Sequence, residues 1–225
     1  MGNKKSYYKR FRIILANPLS RIYHRWTYRK AIEDLNKLKF KLNFSKKSFT
    51  CLLCGVGNEN TADEFIKFVI SKNKNPKIII IDKGDEQINA VIKLANSKYP
   101  DLQISIKQID ALKLTSFIKR NSVDWIETDG FLEYFNKKAI GLLLIQWQKI
   151  LSEKGFITFR DTFNQNGFDW LIDYLRIRIA MIWLGVTVYS HSKKSFEGLI
   201  KKTGFNYITN PTIIATFLRY TLTKR

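Results

Sequence analysis

Two glycines and a series of carboxylates stand where apolar runs of this chain end. Gly55 and Gly57 form a Gly-x-Gly turn behind the apolar run Phe49–Cys54, and Asp82 closes a second apolar run, Ile78–Ile81. Glycines at such a turn let the backbone approach a ligand closely, and an acid at the next strand end accepts from ribose hydroxyls. Asp82 follows the turn at close to the ~20 residues that this arrangement uses. Two later apolar runs end in the same way. Leu102–Ile109 stops at Asp110-Ala111, and Val123–Glu127 leads into Thr128-Asp129-Gly130.

The start of the helix after the turn narrows the kind of nucleoside. A dinucleotide fingerprint places a third glycine at position 60, where this chain has Asn60. Thr61 and Glu64 have capping-box spacing, which would occupy the backbone N–H groups that a pyrophosphate needs. Glu59, Asp63 and Glu64 add negative charge at the same place. The Gly-Lys-Ser/Thr of a P-loop is missing as well. These features favour a phosphate-free nucleoside that is cationic at its reactive centre, and S-adenosylmethionine answers that description.

The surrounding elements alternate. The spacing predicts strands at Phe49–Cys54, Ile78–Ile81, Leu102–Ile109, Val123–Glu127 and Phe156–Phe159, with helices between them. Gly155 is read as the turn into the fifth strand, and Phe205–Ile208 and Ile213–Thr221 as two late antiparallel strands. Alternating strands and helices imply a parallel sheet with helices on both faces. The expected fold is therefore a Rossmann-like three-layer α/β/α sandwich, with a mostly parallel seven-stranded sheet and an antiparallel last strand. Residues 1–47 form a basic, aromatic helical extension or cap, and 48–225 the main domain. The stretch 163–190 interrupts the rhythm as a hydrophobic, lid-like insert. Within it Ile179–Tyr189 is almost wholly apolar, reads as a buried helix or a lid, and falls short of the ~17–25 residues of a spanning helix.

Charge is concentrated at the two ends. Residues 1–47 carry fourteen Lys/Arg against two acids, and 191–225 carry seven against one, in a chain of net charge +20. Basic ends of this kind attract polyanions, so an anionic membrane surface or RNA is the expected partner there. In the predicted helix after Asn17-Pro18, Leu19, Ile22, Tyr23, Trp26, Ile32, Leu35 and Leu38 mark one stripe. That stripe suits either a membrane surface or a cap docked over the cleft. Met1–Ser6 also fits an N-myristoylation pattern. Cys51 and Cys54 fall on opposite sides of a predicted buried strand and read as small core residues, with no metal site. A cytoplasmic location follows from the reduced cysteines and the lack of a signal-peptide pattern, with peripheral membrane attachment left open.

Taken in order, Leu52–Asn58, Ile81-Asp82, Asp110-Ala111, Val123–Asp129, Gly155–Phe159 and Lys202–Phe205 resemble the motifs of the class I S-adenosylmethionine-dependent methyltransferases. The resemblance covers 48–161 and reaches about residue 221. It implies that the loop of Gly55, Gly57 and Glu59 passes the methionine part of the cofactor. Asp82 would bind the ribose diol, and Asp110 with Ala111 the adenine. Thr128 and Asp129 would stand at the mouth of the methyl-transfer site. This chain has Leu53 where the family carries an acid, and Glu59 in place of a third glycine. Glu59 is the expected substitute acid, and a non-catalytic relative is the alternative. Asp129, Tyr134 and His191 are the leading catalytic candidates, with Glu133 and Asp161 as further bases. No Asn/Asp-Pro-Pro-Tyr follows the fourth strand, which argues against exocyclic amines of bases as acceptors. A small hydrophobic or lipid-like acceptor suits the insert, whereas RNA or a protein would use the basic ends.

Overall fold

The computed structural model describes residues 8–10, 17–214 and 216–225. The acylation pattern at Met1–Ser6 lies outside them. Seven strands among the described residues form one sheet: β1 (Thr50–Cys54), β2 (Lys77–Asp82), β3 (Gln103–Gln108), β4 (Val123–Asp129), β5 (Leu151–Thr162), β6 (Phe205–Pro211) and β7 (Phe217–Lys224). Their order is β3-β2-β1-β4-β5-β7-β6. Every pairing is parallel except those of β7, which runs antiparallel to both β5 and β6. The chain winds outward from β1 in one direction and from β4 in the other. A crevice therefore opens between their carboxyl ends, the usual ligand position in such sheets.

The helices are α1 (Pro18–Lys37), α2 (Glu59–Lys72), α3 (Asp85–Lys98), α4 (Lys137–Ile150), α5 (Gly167–Leu184) and α6 (Lys193–Lys202). Because both faces of the sheet are covered, residues 51–54 of β1 and the middle of β2 are continuously apolar. One core layer joins Leu52, Ile126, Phe159 and Leu222 to Leu143, Trp147 and Phe196. The other joins Leu53, Ile80, Trp125 and Phe156 to Phe65, Ile66, Tyr28 and Leu35. Cys51 and Cys54 are buried in opposite layers, as strand alternation requires.

Several local expectations are corrected. The helix after the glycine turn is capped by Asn58, whose side chain accepts from the N–H groups of Asn60 and Thr61, so the Thr61–Glu64 capping box does not form. Glu64 turns instead to Arg25 at 2.6 Å, and Asp63 to Lys98 at 2.7 Å and Tyr99 at 2.5 Å. Gly155 lies inside β5 beside a register shift opposite Val123, where a Cβ would come 2.9 Å from the Val123 carbonyl oxygen. β7 begins at Phe217, and Ile213 and Ile214 stand exposed in the turn before it.

The first and fifth helices depart most from their patterns. α1 begins as expected, with the Asn17 side chain accepting from Leu19 N and Pro18 in the first turn. Its buried side, however, is Tyr23, His24, Thr27, Tyr28, Ala31, Asp34 and Leu35, while Leu19 and Ile22 face out. Polar partners in the sheet set that rotation: Asp34 accepts from Arg219 at 3.0 Å and from Asn210 at 3.1 Å. The insert helix α5 is not buried. Of its described side chains only Asp173 is enclosed, and the apolar ones stand largely in solvent.

Candidate nucleoside site and its polar surroundings

A cavity of about 790 Å³ opens at the carboxyl ends of β1, β2 and β4. Its size lies within the ~300–1,000 Å³ of small-molecule sites. The glycine turn forms one wall. Gly55 has φ of +82°, and a Cβ there would meet the Phe131 ring at 2.3 Å, so both the backbone and the close approach require glycine. Gly57, Asp82, Asp110, Ala111, Asp129 and Tyr134 also line this cavity, which brings most of the sequence-derived candidates together.

Asp82 organises the loop as well as facing the cavity. Its Oδ2 accepts from Val56 N at 2.7 Å and its Oδ1 from Gly84 N at 2.6 Å. Each oxygen keeps a second lone pair, enough for a diol. Burial raises its pKa above the ordinary carboxylate range, and the backbone N–H groups oppose the rise. Asp110 caps the short 3-10 helix Ala111–Ser116 by accepting from Leu112 N at 2.9 Å.

Asp129 is held by Arg160 and stands beside His24. Arg160 Nε donates to its Oδ1 at 3.1 Å, and His24 Nδ1 lies 3.2 Å from its Oδ2. Arg160 also donates to buried Glu127 at 2.6 Å and stacks over the Tyr28 ring at 5.4 Å. Thr158 donates to Glu127 from the next strand. Burial lowers the His24 pKa, and the Asp129 charge opposes the fall. Glu127, enclosed in the sheet, is pushed up to about 7 by desolvation despite the opposing Arg160 charge. No motif marks His24 or Arg160 as site residues. Strand alternation could have placed Glu127 and Asp129 on one face, but not the helix that covers them.

Other candidates lie elsewhere. The Thr128 side chain alternates away from Asp129 and is buried in β4, out of the cavity lining. Glu59 accepts from Tyr8 Oη at 2.6 Å and borders a neighbouring hollow rather than the main cavity. His191 lines a separate cavity of about 150 Å³ with Lys137, Ile140 and Phe196. Burial lowers its pKa, and it packs near the backbone of Phe135 and Leu132. Glu133 and Asp161 sit behind the wall: Asp161 accepts from Leu132 N at 2.6 Å, and Glu133 pairs with Arg176. Burial raises the pKa of both. Leu53, at the family's acid position, is buried in the core and stands in register with Glu127 on β4. Lys83, Phe131 and Phe135 also line the cavity without any sequence signal of their own, and Val186 and Thr187 come from the apolar insert.

No family model matches the sequence, and no curated protein matches it. Solved structures do. An O-methyltransferase family protein from Burkholderia thailandensis superposes with a TM-score of 0.63 at 13% identity, over 89% of this chain and 57% of that one. The mitomycin 7-O-methyltransferase MmcR gives 0.60 at 12% identity, over 99% and 62%. A SAM-dependent methyltransferase from Methanosarcina mazei gives 0.59 at 14% identity, over 81% and 95%. The chain has the class I methyltransferase fold. It spans less than two thirds of the first two of these proteins. In this fold the seven-stranded order, with only β7 reversed, sets the cavity at the β1/β4 switch point.

Proposed function

We propose that this chain is an S-adenosylmethionine-dependent methyltransferase whose acceptor is small and hydrophobic or lipid-like. The reading is carried by one observation: Gly55, Asp82, Asp110 and Asp129 converge on a single cavity at the carboxyl edge of the sheet. The residues fit the cofactor. Asp82 has lone pairs left for a ribose diol, and Asp110 with Ala111 borders the space beyond it. Asn58 occupies the free N–H groups of α2, so the site offers little to a pyrophosphate.

When bound, S-adenosylmethionine supplies a methyl group on a sulfonium, and the C–S bond breaks as the acceptor atom takes the methyl. The protein's part is orientation, charge and exclusion of water. Phe131, Tyr134 and Phe135 supply aromatic surface, which attracts a cation. Asp129 supplies a carboxylate at the end of β4. Arg160 fixes its orientation, His24 stands 3.2 Å away, and this carboxylate is the group placed to take a proton from the acceptor. The apolar acceptor is supported by the wall formed by Val186 and Thr187, which directly follow α5.

A second reading, a nucleoside-binding protein without transfer activity, is favoured by Leu53 alone. Calorimetry with S-adenosylmethionine and with its demethylated product tests the binding claim. Replacing Asp82 with Ala should weaken both ligands by about 1.5–3 kcal/mol, the worth of a charged hydrogen bond. Binding with no turnover on any apolar hydroxyl or amine acceptor would favour the second reading.

A further inference from the structure

The helix α5 has the composition of a core element and the exposure of a surface one. Ile182 is 82% exposed, Phe168 70%, Ile179 64% and Trp170 56%, with Leu175 and Trp183 also in solvent. The polar residues hold it to the body. Asp173, fully buried, accepts from Arg176 at 2.7 Å, and Arg176 also reaches Glu133 and, at 2.9 Å, Thr162 Oγ1. An exposed helix that is apolar around most of its circumference needs a cover.

More exposed apolar residues stand at the same edge of the sheet. Leu19 and Ile22 open α1, and Ile213 and Ile214 occupy the β6–β7 turn. That turn lies between the two helices: Thr212 stands near the Tyr23 hydroxyl of α1, and the Thr216 carbonyl accepts from Phe163 N just before α5. At the far end of α5, Arg10 donates to the Trp183 carbonyl, and Tyr8 lines the nucleoside cavity. The apolar patch and the cavity therefore share one edge of the molecule.

Charge decides what covers it. Arg178 projects from α5 over the Tyr174 ring at 5.2 Å, and Arg10 lies against the last turn of the same helix. A second copy would bring a chain of net charge +20 against another of +20. RNA would satisfy the cations and leave Ile182, Ile179 and Phe168 in water. A bilayer with anionic headgroups satisfies both sets: apolar and aromatic side chains enter the acyl boundary, and the arginines stay at the phosphates. No helix of the described residues is long and apolar enough to cross a membrane.

We propose that α5, with the first turn of α1 and the β6–β7 turn, is a seat on an anionic lipid surface, which brings the mouth of the cavity to the bilayer. The seat does not depend on which nucleoside the cavity binds.

Flotation of the full chain with phosphatidylcholine vesicles, with and without phosphatidylserine, tests it alongside the double variant Ile179→Glu/Ile182→Glu. Both positions are exposed, so the variant should melt like the parent. The parent should float only with phosphatidylserine vesicles, and the variant should bind them at least tenfold more weakly. Trp170 and Trp183 should become accessible to brominated lipid in the parent, a readout that needs no variant. No flotation, equal flotation with both vesicle types, or unchanged binding by the double variant would overturn the proposal. So would a dimer that the double variant abolishes without any vesicle binding, which would assign the face to a second copy.

Discussion

Helices α1 and α5 are built in opposite senses. α1 turns His24, Thr27 and Asp34 inward and leaves Leu19 and Ile22 in water, whereas α5 buries Asp173 and exposes Ile179, Ile182 and Trp183. Among the buried polar groups of α1, Asp34 pairs with Arg219 and Asn210 of the sheet, and His24 lies 3.2 Å from Asp129. α1 is thus tied to the sheet through Asp34, and its Tyr28 ring packs into the core. α5 is fastened through Arg176 and Asp173, and its apolar surface contributes little to the folded chain by itself. Buried polarity here marks an element that belongs to the body, and exposed apolarity marks one directed outward.

Substitutions can break this contrast, beginning with the strongest. Arg160→Met would strand Glu127 and Asp129 under α1, and we expect a loss of about 3–5 kcal/mol in urea unfolding. Leu35→Ala, at a fully buried position on α1, should cost about 2–5 kcal/mol. Arg176→Met should cost less, about 1–3 kcal/mol, because its side chain is partly exposed and Asp173 keeps its place in the helix. An Arg176 variant as damaging as the Arg160 variant would mean that α5 is as much a part of the fold as α1. Ile182→Ala should change stability by no more than about 0.5 kcal/mol.

The polar layer under α1 also has a pH signature. Glu127, with its pKa pushed up to about 7 from 4.5, keeps its proton in the folded chain over a range where the unfolded chain has lost it. Stability therefore falls as pH rises from 4.5 to about 7 and stays lower above that. Glu127→Gln should flatten this part of the stability–pH curve relative to the parent. An unchanged slope would show that Glu127 does not titrate there. Other buried acids with raised pKa values, Asp34 and Asp161 among them, remain in both proteins.

Most of the fold was legible because its signals are local. Apolar runs ending in Asp82, Asp110 and Asp129 marked three strand ends, and their sequence spacing was enough to place them around one crevice. The rotation of α1 was not legible, since it is set by pairings between residues distant in sequence, such as Asp34 with Arg219. For the same reason His24 went unread as a neighbour of Asp129, and His191 was assigned to a cavity that it does not line. Thr128 was placed by its motif, where the alternation of β4 would have turned it away. In α5 the apolar run is plain in the sequence, but composition alone does not distinguish a buried helix from one left bare.

The account rests on the cavity taking the adenosine part of a methyl donor. Titration calorimetry of the parent and of Asp82→Ala with S-adenosylmethionine, repeated at falling pH, tests this most directly. The parent should bind, and its affinity should fall on acidification at a pH above the ordinary carboxylate range, as Asp82 takes up a proton. Asp82→Ala should bind more weakly by about 1.5–3 kcal/mol and lose that pH dependence. An absence of binding by the parent at millimolar ligand, or an Asp82→Ala variant that binds as the parent does, would contradict it.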